Sequence, residues 1–189
     1  MIVNDQLFYI HIPRTAGRFF KEMLPDKIEV PAFGEYYKGI DRLHLHYPLY
    51  NECFGVKDME HLTIVRNPFD RFKSALKGPL ETTSYDYFFK NGFDGAMELL
   101  SEANYDKGNW FRPQHEFVSE TTHVWRFEDG FGDTFIKWVL DKFNVKLNPV
   151  ERTGFADYDY IQVPDSVNKY KSCVEEYYKK DFDRFDYRK

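Results

Sequence analysis

The chain has 189 residues, a length that suits a single α/β domain, residues 1–189, with a sizeable core. Its net charge of −5 argues against a broad nucleic-acid-binding face, so functionally important basic residues are expected to form local clusters. The mean hydropathy of −0.63, with no apolar run of about 18 residues, argues against a membrane span.

Aromatic residues make up 19% of the chain, and many of them are expected in the core because they are the largest apolar side chains. The two cysteines, Cys53 and Cys173, match no zinc-binding spacing and make no disulfide framework. The N-terminal segment lacks the basic and apolar regions of a signal peptide. Reduced thiols and a cytoplasmic location are therefore predicted.

Strands and helices alternate in the predicted order of elements. The expected strands are 7–12, 28–30, 61–65 and 124–127. The expected helices are 17–24, 68–77, 84–90, 93–102, 130–143 and a long last helix over 165–185. This alternation is typical of a largely parallel sheet with helices packed on its faces.

The turn at 13–17 has the features of an anion-binding loop. It follows a strand and opens a helix, whose first N–H groups and dipole attract an anion. Gly17 permits close approach of the backbone, Arg14 supplies a positive charge and Thr15 supplies a hydroxyl. By itself, this pattern fits an ordinary strand–turn–helix unit with a surface arginine equally well.

A second candidate anion site follows the strand at 61–65. Arg66 is expected at the carboxyl end of that strand, which is the usual ligand-facing edge of an open α/β sheet. Ser74 lies about two helical turns into the next helix, and a guanidinium and a hydroxyl can bind one phosphate together. Arg71 either joins this site or lies on the solvated helix face. For Arg66 alone, a structural salt bridge is the alternative.

The motifs at both turns resemble those of the carbohydrate-type sulfotransferases, the group that includes heparan 2-O- and chondroitin sulfotransferases. HIPRTAG at 11–17 resembles the family's HIPKTAG element, and VRNPFDRFKSAL at 65–76 resembles its R-x-P-x-x-R-x-x-S element. Looser similarities occur in the family's order at 112–118 (RPQHEFV), 124–130 (VWRFEDG) and 177–187 (YYKKDFDRFDY). Together these similarities span nearly the whole chain.

The resemblance implies a P-loop-like, three-layer α/β domain that transfers a sulfuryl group from 3′-phosphoadenosine 5′-phosphosulfate to a hydroxyl or amine. In that family the first motif binds the 5′-phosphosulfate and the second binds the 3′-phosphate. By similarity, Arg66 and Ser74 would hold the 3′-phosphate. The residues expected at the 5′-phosphosulfate are Pro13, Arg14, Thr15, Ala16, Gly17 and Arg18.

Two departures from the family pattern bear on activity. Arg14 replaces the loop lysine, which keeps the charge but exchanges a compact ammonium for a forked guanidinium. Arg18 and Phe19 stand where the family usually has two hydroxyl residues. The alternatives to an active sulfotransferase are therefore a non-catalytic nucleotide- or anion-binding relative and a protein-interaction module on the same fold.

Metal-independent transfer is expected from the motifs. The chain lacks the G-x-x-x-x-G-K-[ST] motif of nucleotide kinases, and its strand at 61–65 ends in Arg66 rather than an aspartate. An arginine at that place repels a metal ion and attracts a phosphate. A transferring sulfuryl group carries less charge than a phosphoryl group, so protein cations suffice without a metal.

Two side chains are expected to take part in the chemistry. Arg14, with the loop N–H groups, would stabilise the charge that develops on the leaving phosphate oxygen. The expected general base is His46, because related enzymes carry a histidine-containing segment between their donor motifs. His44 and Glu35 are the alternatives, and in an extended segment His44 and His46 would share a face.

The acceptor is expected to be a glycan or a small molecule, and neither its identity nor the oligomeric state can be read from the sequence. The residues expected to face it are His44, Trp110, Arg112 and Gln114. Trp110 would stack on a sugar ring, with a place in the core as the alternative.

The remaining histidines and one arginine are expected to be structural. His11 is expected to pack beneath the first loop, and His115 and His123 to serve the fold. Arg126 is expected to pair with Glu128 at the end of a strand.

Overall fold

The computed structural model describes residues 1–24, 34–101, 109–150 and 160–187, so the strand expected at 28–30 lies outside the described residues. The strands are β1 Leu7–Ile10, β2 Tyr36–Tyr37, β3 Ile40–Asp41, β4 Glu60–Val65 and β5 His123–Arg126. β1, β4 and β5 form one parallel sheet in that order, and β2 pairs with β3 in a short antiparallel hairpin.

The strand register brings three strand ends to one edge of the sheet. Ile10 of β1 lies opposite Thr63 of β4, and Val65 of β4 lies opposite Arg126 of β5. Parallel strands that pair in this way place their carboxyl ends together. The loops after all three strands therefore meet at one edge, and the α/β class expected from the sequence is confirmed.

The helices agree with most of the sequence predictions to within a few residues. They are α1 Gly17–Met23, α2 Leu49–Phe54, α3 Pro68–Leu80, α4 Tyr85–Phe89, α5 Gly92–Ser101, α6 Asp133–Phe143, α7 Lys171–Tyr177 and α8 Lys179–Arg184. Pro68 opens α3 as predicted, and the Asn67 side chain accepts hydrogen bonds from the N–H groups of Phe69 and Asp70. The sequence predicted neither α2 nor the β2–β3 hairpin.

The prediction of one long last helix over 165–185 is wrong. The segment divides into a 3₁₀ helix, Asp165–Tyr170, followed by α7 and α8, with Tyr178 at the break between them. Tyr178 is buried and its hydroxyl donates to the carbonyl of Phe111 at 2.7 Å. The break lets Tyr178 and Asp181 both make buried tertiary hydrogen bonds, which override local helix propensity.

Alternate side chains of β1 pack into two different hydrophobic clusters. Leu7 and Tyr9 belong to a cluster with Phe20 of α1 and Phe135 of α6. Phe8 and Ile10 belong to a second cluster that includes the buried residues of α3, α4 and α5. Because successive strand residues point to opposite faces, helices cover both faces of the sheet. Many of the aromatic residues lie in these two clusters, as expected.

Candidate anion-binding site

The loop between β1 and α1 has a backbone that few sequences adopt. Arg14 and Ala16 both have left-handed conformations, with φ of 69° and 76°, although neither is glycine. Thr15 is buried, and its hydroxyl donates to the carbonyl of Ile12 at 2.9 Å. The Thr15 hydroxyl proton is therefore used within the loop, and the expectation that Thr15 also contacts an anion stays a prediction.

Gly17 is required by its neighbour His11. A Cβ atom at residue 17 would lie 2.0 Å from His11 Cδ2 and 2.1 Å from His11 Nε2. The His11 ring is buried and packs beneath the loop, as predicted. The His11 imidazole thus by itself requires a glycine at residue 17, and the expectation that Gly17 also permits close approach of a ligand stays a prediction.

Arg14, Arg66 and Ser74 lie together at the edge where β1 and β4 end. Arg14 Nε donates to Ser74 Oγ at 3.0 Å, and Arg66 Nη1 donates to the Arg14 carbonyl at 3.5 Å. These contacts join residues that are 52 to 60 positions apart in the sequence. The two turns that the sequence singled out therefore form one site.

Both arginines of this site lie over aromatic rings. Arg14 Cζ is 5.4 Å from the centroid of the Trp110 ring, and Arg66 Cζ is 4.6 Å from that of Phe127. Such cation–π contacts hold a guanidinium in place while leaving its N–H edge available to other groups. Trp110 also packs against Gly78 of α3, where a Cβ atom would lie 2.2 Å from its ring. Trp110 therefore lines the arginine site, the name used below for Arg14, Arg66 and Ser74.

Arg71 takes neither of the two roles considered from the sequence. Its side chain is 1% exposed, so it neither reaches the solvated face of α3 nor points at a ligand. Nε donates to the Pro13 carbonyl at 3.0 Å, Nη1 to that of Arg112 at 2.9 Å and Nη2 to that of Trp110 at 3.1 Å. Burial lowers the pKa of Arg71, and the nearby Tyr178 and Asp181 oppose that shift. Arg71 thus ties the first loop to the 110–112 segment.

Gln114 is buried and binds the backbone of Arg66, so the expectation that it faces the acceptor is wrong. Its Oε1 accepts from the Arg66 N–H at 2.9 Å, and its Nε2 donates to the Arg66 carbonyl at 2.8 Å. The buried Asp181 carboxylate accepts from the N–H groups of Gln114 at 2.7 Å and His115 at 2.8 Å, and contacts His115 Nδ1 at 2.7 Å. His115 is structural, as predicted.

Glu128 also binds the loop after β4, so the predicted Arg126–Glu128 pair is wrong. Glu128 Oε1 accepts from the Asn67 N–H at 2.7 Å, and Oε2 accepts from the Tyr187 hydroxyl at 2.8 Å. Arg126 instead pairs with Asp129, at 3.1 Å. The similarity at 177–187 signalled the importance of this C-terminal segment, but no sequence signal identified the partners of its residues.

The two histidines at 44 and 46 have different surroundings and do not share a face. His44 ends a 3₁₀ turn, is buried, and its ring centroid lies 4.8 Å from that of His11. Burial, followed by the charges of Arg71 and Arg18, lowers the pKa of His44 to about 3. His46 is half-buried and remains the more accessible of the two. The burial of His44 corrects the expectation that it contacts the acceptor.

The hydrogen bonds around Asn109 determine which nitrogen of His46 carries the proton. Asn109 Oδ1 accepts from Arg112 Nε at 2.9 Å, which orients its amide nitrogen toward His46 Nδ1 at 3.3 Å and the His44 carbonyl at 2.8 Å. His46 Nδ1 is therefore the acceptor, and the proton lies on Nε2. Burial and the charge of Arg112 lower the pKa of His46, with Glu116 opposing them, so its imidazole is neutral at pH 7.

The remaining residues of the sequence prediction are also located by the structure. Arg112 forms an ion pair with Glu116 beside His46, and Glu35 pairs with Arg42. Arg18 is exposed, whereas Phe19 is buried and its ring centroid lies 5.2 Å from that of Phe131. His123 contacts Glu60 at 2.7 Å and is structural, as predicted.

Two open cavities lie near this edge of the sheet. One of about 440 Å³ is lined by Asn67, Lys73 and residues of α7 and α8, and one of about 430 Å³ by Arg126, Glu128, Asp186 and Tyr187. Neither of the two is lined by Arg14, Arg66 or Ser74, as far as the described residues show. The arginine site is therefore identified by the contacts among Arg14, Arg66 and Ser74 rather than by a cavity.

Comparison of the chain with protein-family models, curated proteins and solved structures found no match. In the described parts of the chain, no helix is long and apolar enough to cross a membrane. The same residues contain no group of three or more His, Cys, Asp or Glu side chains arranged to hold a metal ion.

Replacement of Arg71 by methionine is expected to lower the free energy of unfolding by about 3 to 5 kcal/mol, because three buried carbonyls lose their donors. Arg71→Lys is expected to recover little of the lost free energy of unfolding, since one ammonium group cannot reproduce the three diverging hydrogen bonds of the guanidinium. Lys73→Met removes a half-exposed ion pair with Asp70 on the same helix and is expected to change the free energy of unfolding by less than about 1 kcal/mol. Urea denaturation measures all three, and equal values for Arg71→Met and Lys73→Met would contradict this role.

Acid is expected to destabilise the protein through its buried histidines. In the unfolded chain a histidine takes up a proton near about pH 6.5, whereas folded His44, with a pKa of about 3, stays neutral. The contribution of neutral, buried His44 to the free energy of unfolding is therefore fully present above about pH 6.5 and is lost as the pH falls below it. His44→Gln should reduce the loss in unfolding free energy between about pH 7 and 5 by about 2 kcal/mol. Parallel curves for His44→Gln and the parent protein would contradict this assignment.

Proposed function

We propose that the loop after β1, Arg66 and Ser74 form the donor site of a P-loop-like sulfotransferase that uses 3′-phosphoadenosine 5′-phosphosulfate. In this proposal residues 13–18 bind the 5′-phosphosulfate, and Arg66 and Ser74 bind the 3′-phosphate. The acceptor is a hydroxyl or amine of a glycan or small molecule, and transfer needs no metal ion.

The observation that carries the proposal is the contact between the two turns. Arg14 Nε lies 3.0 Å from Ser74 Oγ, and Arg66 Nη1 lies 3.5 Å from the Arg14 carbonyl. One ligand with two anionic groups can therefore reach both turns. Ser74 accepts a hydrogen bond from Arg14 and still has its own hydroxyl proton to donate to a phosphate.

Side-chain charge supports the proposal more than the helix dipole does. α1 has only seven residues, so its dipole contributes little to anion binding. Arg14 and Arg66 meet at the loop, and the charges of Arg18 and Arg71 act on His44 directly beneath it. In a chain with a net charge of −5, this local concentration of cations favours an anion at one place.

The exchange of the family's loop hydroxyls for Arg18 and Phe19 is compatible with an open donor site. Phe19 packs against Phe131 in the cluster beneath α1 and α6, so its ring serves the core. Arg18 is exposed and adds a cation next to the loop. In the proposed site Arg18 takes the place of a hydroxyl as a donor to the phosphosulfate.

In the proposed transfer, His46 accepts the proton of the acceptor hydroxyl at Nε2. The hydroxyl oxygen forms a bond to sulfur while the bond from sulfur to the 5′-phosphate oxygen breaks, and the electron pair of that bond stays on the phosphate. Arg14 stabilises the charge that develops there. For this step His46 must carry its proton on Nδ1 and leave Nε2 free to accept. The Asn109 amide N–H group, 3.3 Å from Nδ1, must then turn away from the ring, because two donors cannot face each other there.

A second candidate is a non-catalytic relative that binds the same nucleotide. The orientation of Asn109 favours it, because the resulting His46 tautomer carries its proton on Nε2 and cannot accept another there. Turnover therefore separates the two candidates, whereas nucleotide binding is common to both.

Titration calorimetry with adenosine 3′,5′-bisphosphate tests the donor site. The protein is expected to bind this nucleotide, and Arg66→Ala should weaken binding by about 10- to 100-fold because a charged hydrogen-bond donor to phosphate is lost. Arg126→Ala removes a charge that is paired with Asp129 at the same sheet edge and should change affinity by less than about threefold. Failure of the parent protein to bind, or equal losses in both variants, would refute the donor site.

Turnover of labelled 3′-phosphoadenosine 5′-phosphosulfate with a panel of hydroxyl and amine acceptors tests the enzyme. His46→Ala is expected to lower turnover by about 10²- to 10⁴-fold while leaving the affinity for adenosine 3′,5′-bisphosphate unchanged. His123→Ala is the matched control, because His123 lies at the amino end of β5, away from the strand ends that carry the site, and this variant should retain parent activity. Binding without turnover would favour the non-catalytic relative, and equal turnover in both variants would exclude His46 as the base.

A further inference from the structure

We propose that Gln114 is the positioning residue for Arg66, and that it determines how strongly the site discriminates a nucleotide with a 3′-phosphate from one without it. This inference rests on the proposed function, because it assigns to Arg66 the 3′-phosphate of the donor. Gln114 itself does not touch the ligand in this proposal.

The bond pattern between Gln114 and Arg66 is unusual for a side chain. The Gln114 amide accepts from the Arg66 N–H and donates to the Arg66 carbonyl, so it uses both backbone groups of that one residue. Arg66 directly follows β4, whose last residue is Val65. The side-chain amide therefore continues the hydrogen-bond pairing of the sheet by one residue beyond its end.

Because both backbone groups of Arg66 are held by Gln114, the position from which its side chain extends is fixed. The side chain starts from a backbone held at both polar groups and passes over the Phe127 ring, 4.6 Å from its centroid. An arginine constrained at both ends loses less conformational freedom when it binds an anion. Without Gln114, the Arg66 backbone would lose both of these hydrogen bonds, and more of the ordering of its side chain would fall to the ligand.

Gln114 is itself held by the C-terminal helix α8. It is fully buried, and Asp181 of α8 accepts its backbone N–H at 2.7 Å together with the N–H of His115. A carboxylate that accepts backbone N–H groups in a buried site forms strong, charge-assisted bonds. Asp181 thus orients Gln114, and Gln114 orients Arg66.

The test compares affinities for adenosine 3′,5′-bisphosphate and adenosine 5′-monophosphate, and uses their ratio as the readout. Gln114→Ala is expected to lower this ratio by about tenfold, through weaker binding of the bisphosphate alone. Gln114→Glu, which keeps the size but places an oxygen against the Arg66 carbonyl, should lower it similarly. Gln6→Ala, at an exposed position before β1, is the matched control and should keep the parent ratio.

The same measurements in an Arg66→Ala background complete a double-mutant cycle. Because Gln114 acts through Arg66, Gln114→Ala should leave the ratio unchanged within about twofold once Arg66 is gone. A ratio that falls equally in both backgrounds indicates general loss of structure and would overturn the inference. So would an unchanged ratio in both Gln114 variants.

Failure of the inference and failure of the proposed function give different results. A parent protein that does not prefer the bisphosphate refutes the donor site itself. A parent protein with that preference, retained in Gln114→Ala and Gln114→Glu, refutes only the positioning role. Asp181→Asn provides a further check if Gln114→Ala does not fold, because it weakens the support of Gln114 without removing its amide.

Discussion

The buried guanidinium of Arg71 is the interaction on which the site depends. It donates to the carbonyls of Pro13, Trp110 and Arg112, and so joins two loops that are about a hundred residues apart in the chain. A buried cation needs hydrogen-bond partners to offset its lost hydration, and each of the three nitrogens of Arg71 donates to a backbone carbonyl. The geometry of the loop after β1 is therefore coupled to that of the 110–112 segment.

The positive charges around the loop favour a bound anion and disfavour protonation of the nearby histidines. Burial, followed by His44, the N-terminal amine and Arg18, keeps the pKa of His11 well below its ordinary value. Burial, followed by Arg71 and Arg18, does the same for His44. Two imidazoles in T-shaped contact beneath the loop therefore stay neutral and do not repel the arginines. Burial is thus the main reason that the core beneath the loop stays uncharged, and the cations that favour an anion act in the same direction.

Elements that depend on local pattern could be predicted from the sequence, whereas contacts across the fold could not. Hydrophobic periodicity identified the three strands of the sheet, and the motifs identified Arg14, Arg66 and Ser74 as neighbours in one site. The roles of Arg71 and Gln114 depend on partners 39 to 67 positions away, to which no periodicity points. The break at Tyr178 was missed for the same reason, since tertiary hydrogen bonds outweigh the local preference for one helix.

The first motif contains two kinds of residue that the sequence alone could not separate. Thr15 and Gly17 are explained by the loop's own structure, because one bonds to Ile12 and the other makes room for His11. Their presence would be required whether or not a ligand binds there. Arg14 is different, since its forked guanidinium extends from the loop to Ser74 on α3. The case for an anion ligand therefore depends on the cations at the sheet edge rather than on the motif as a whole.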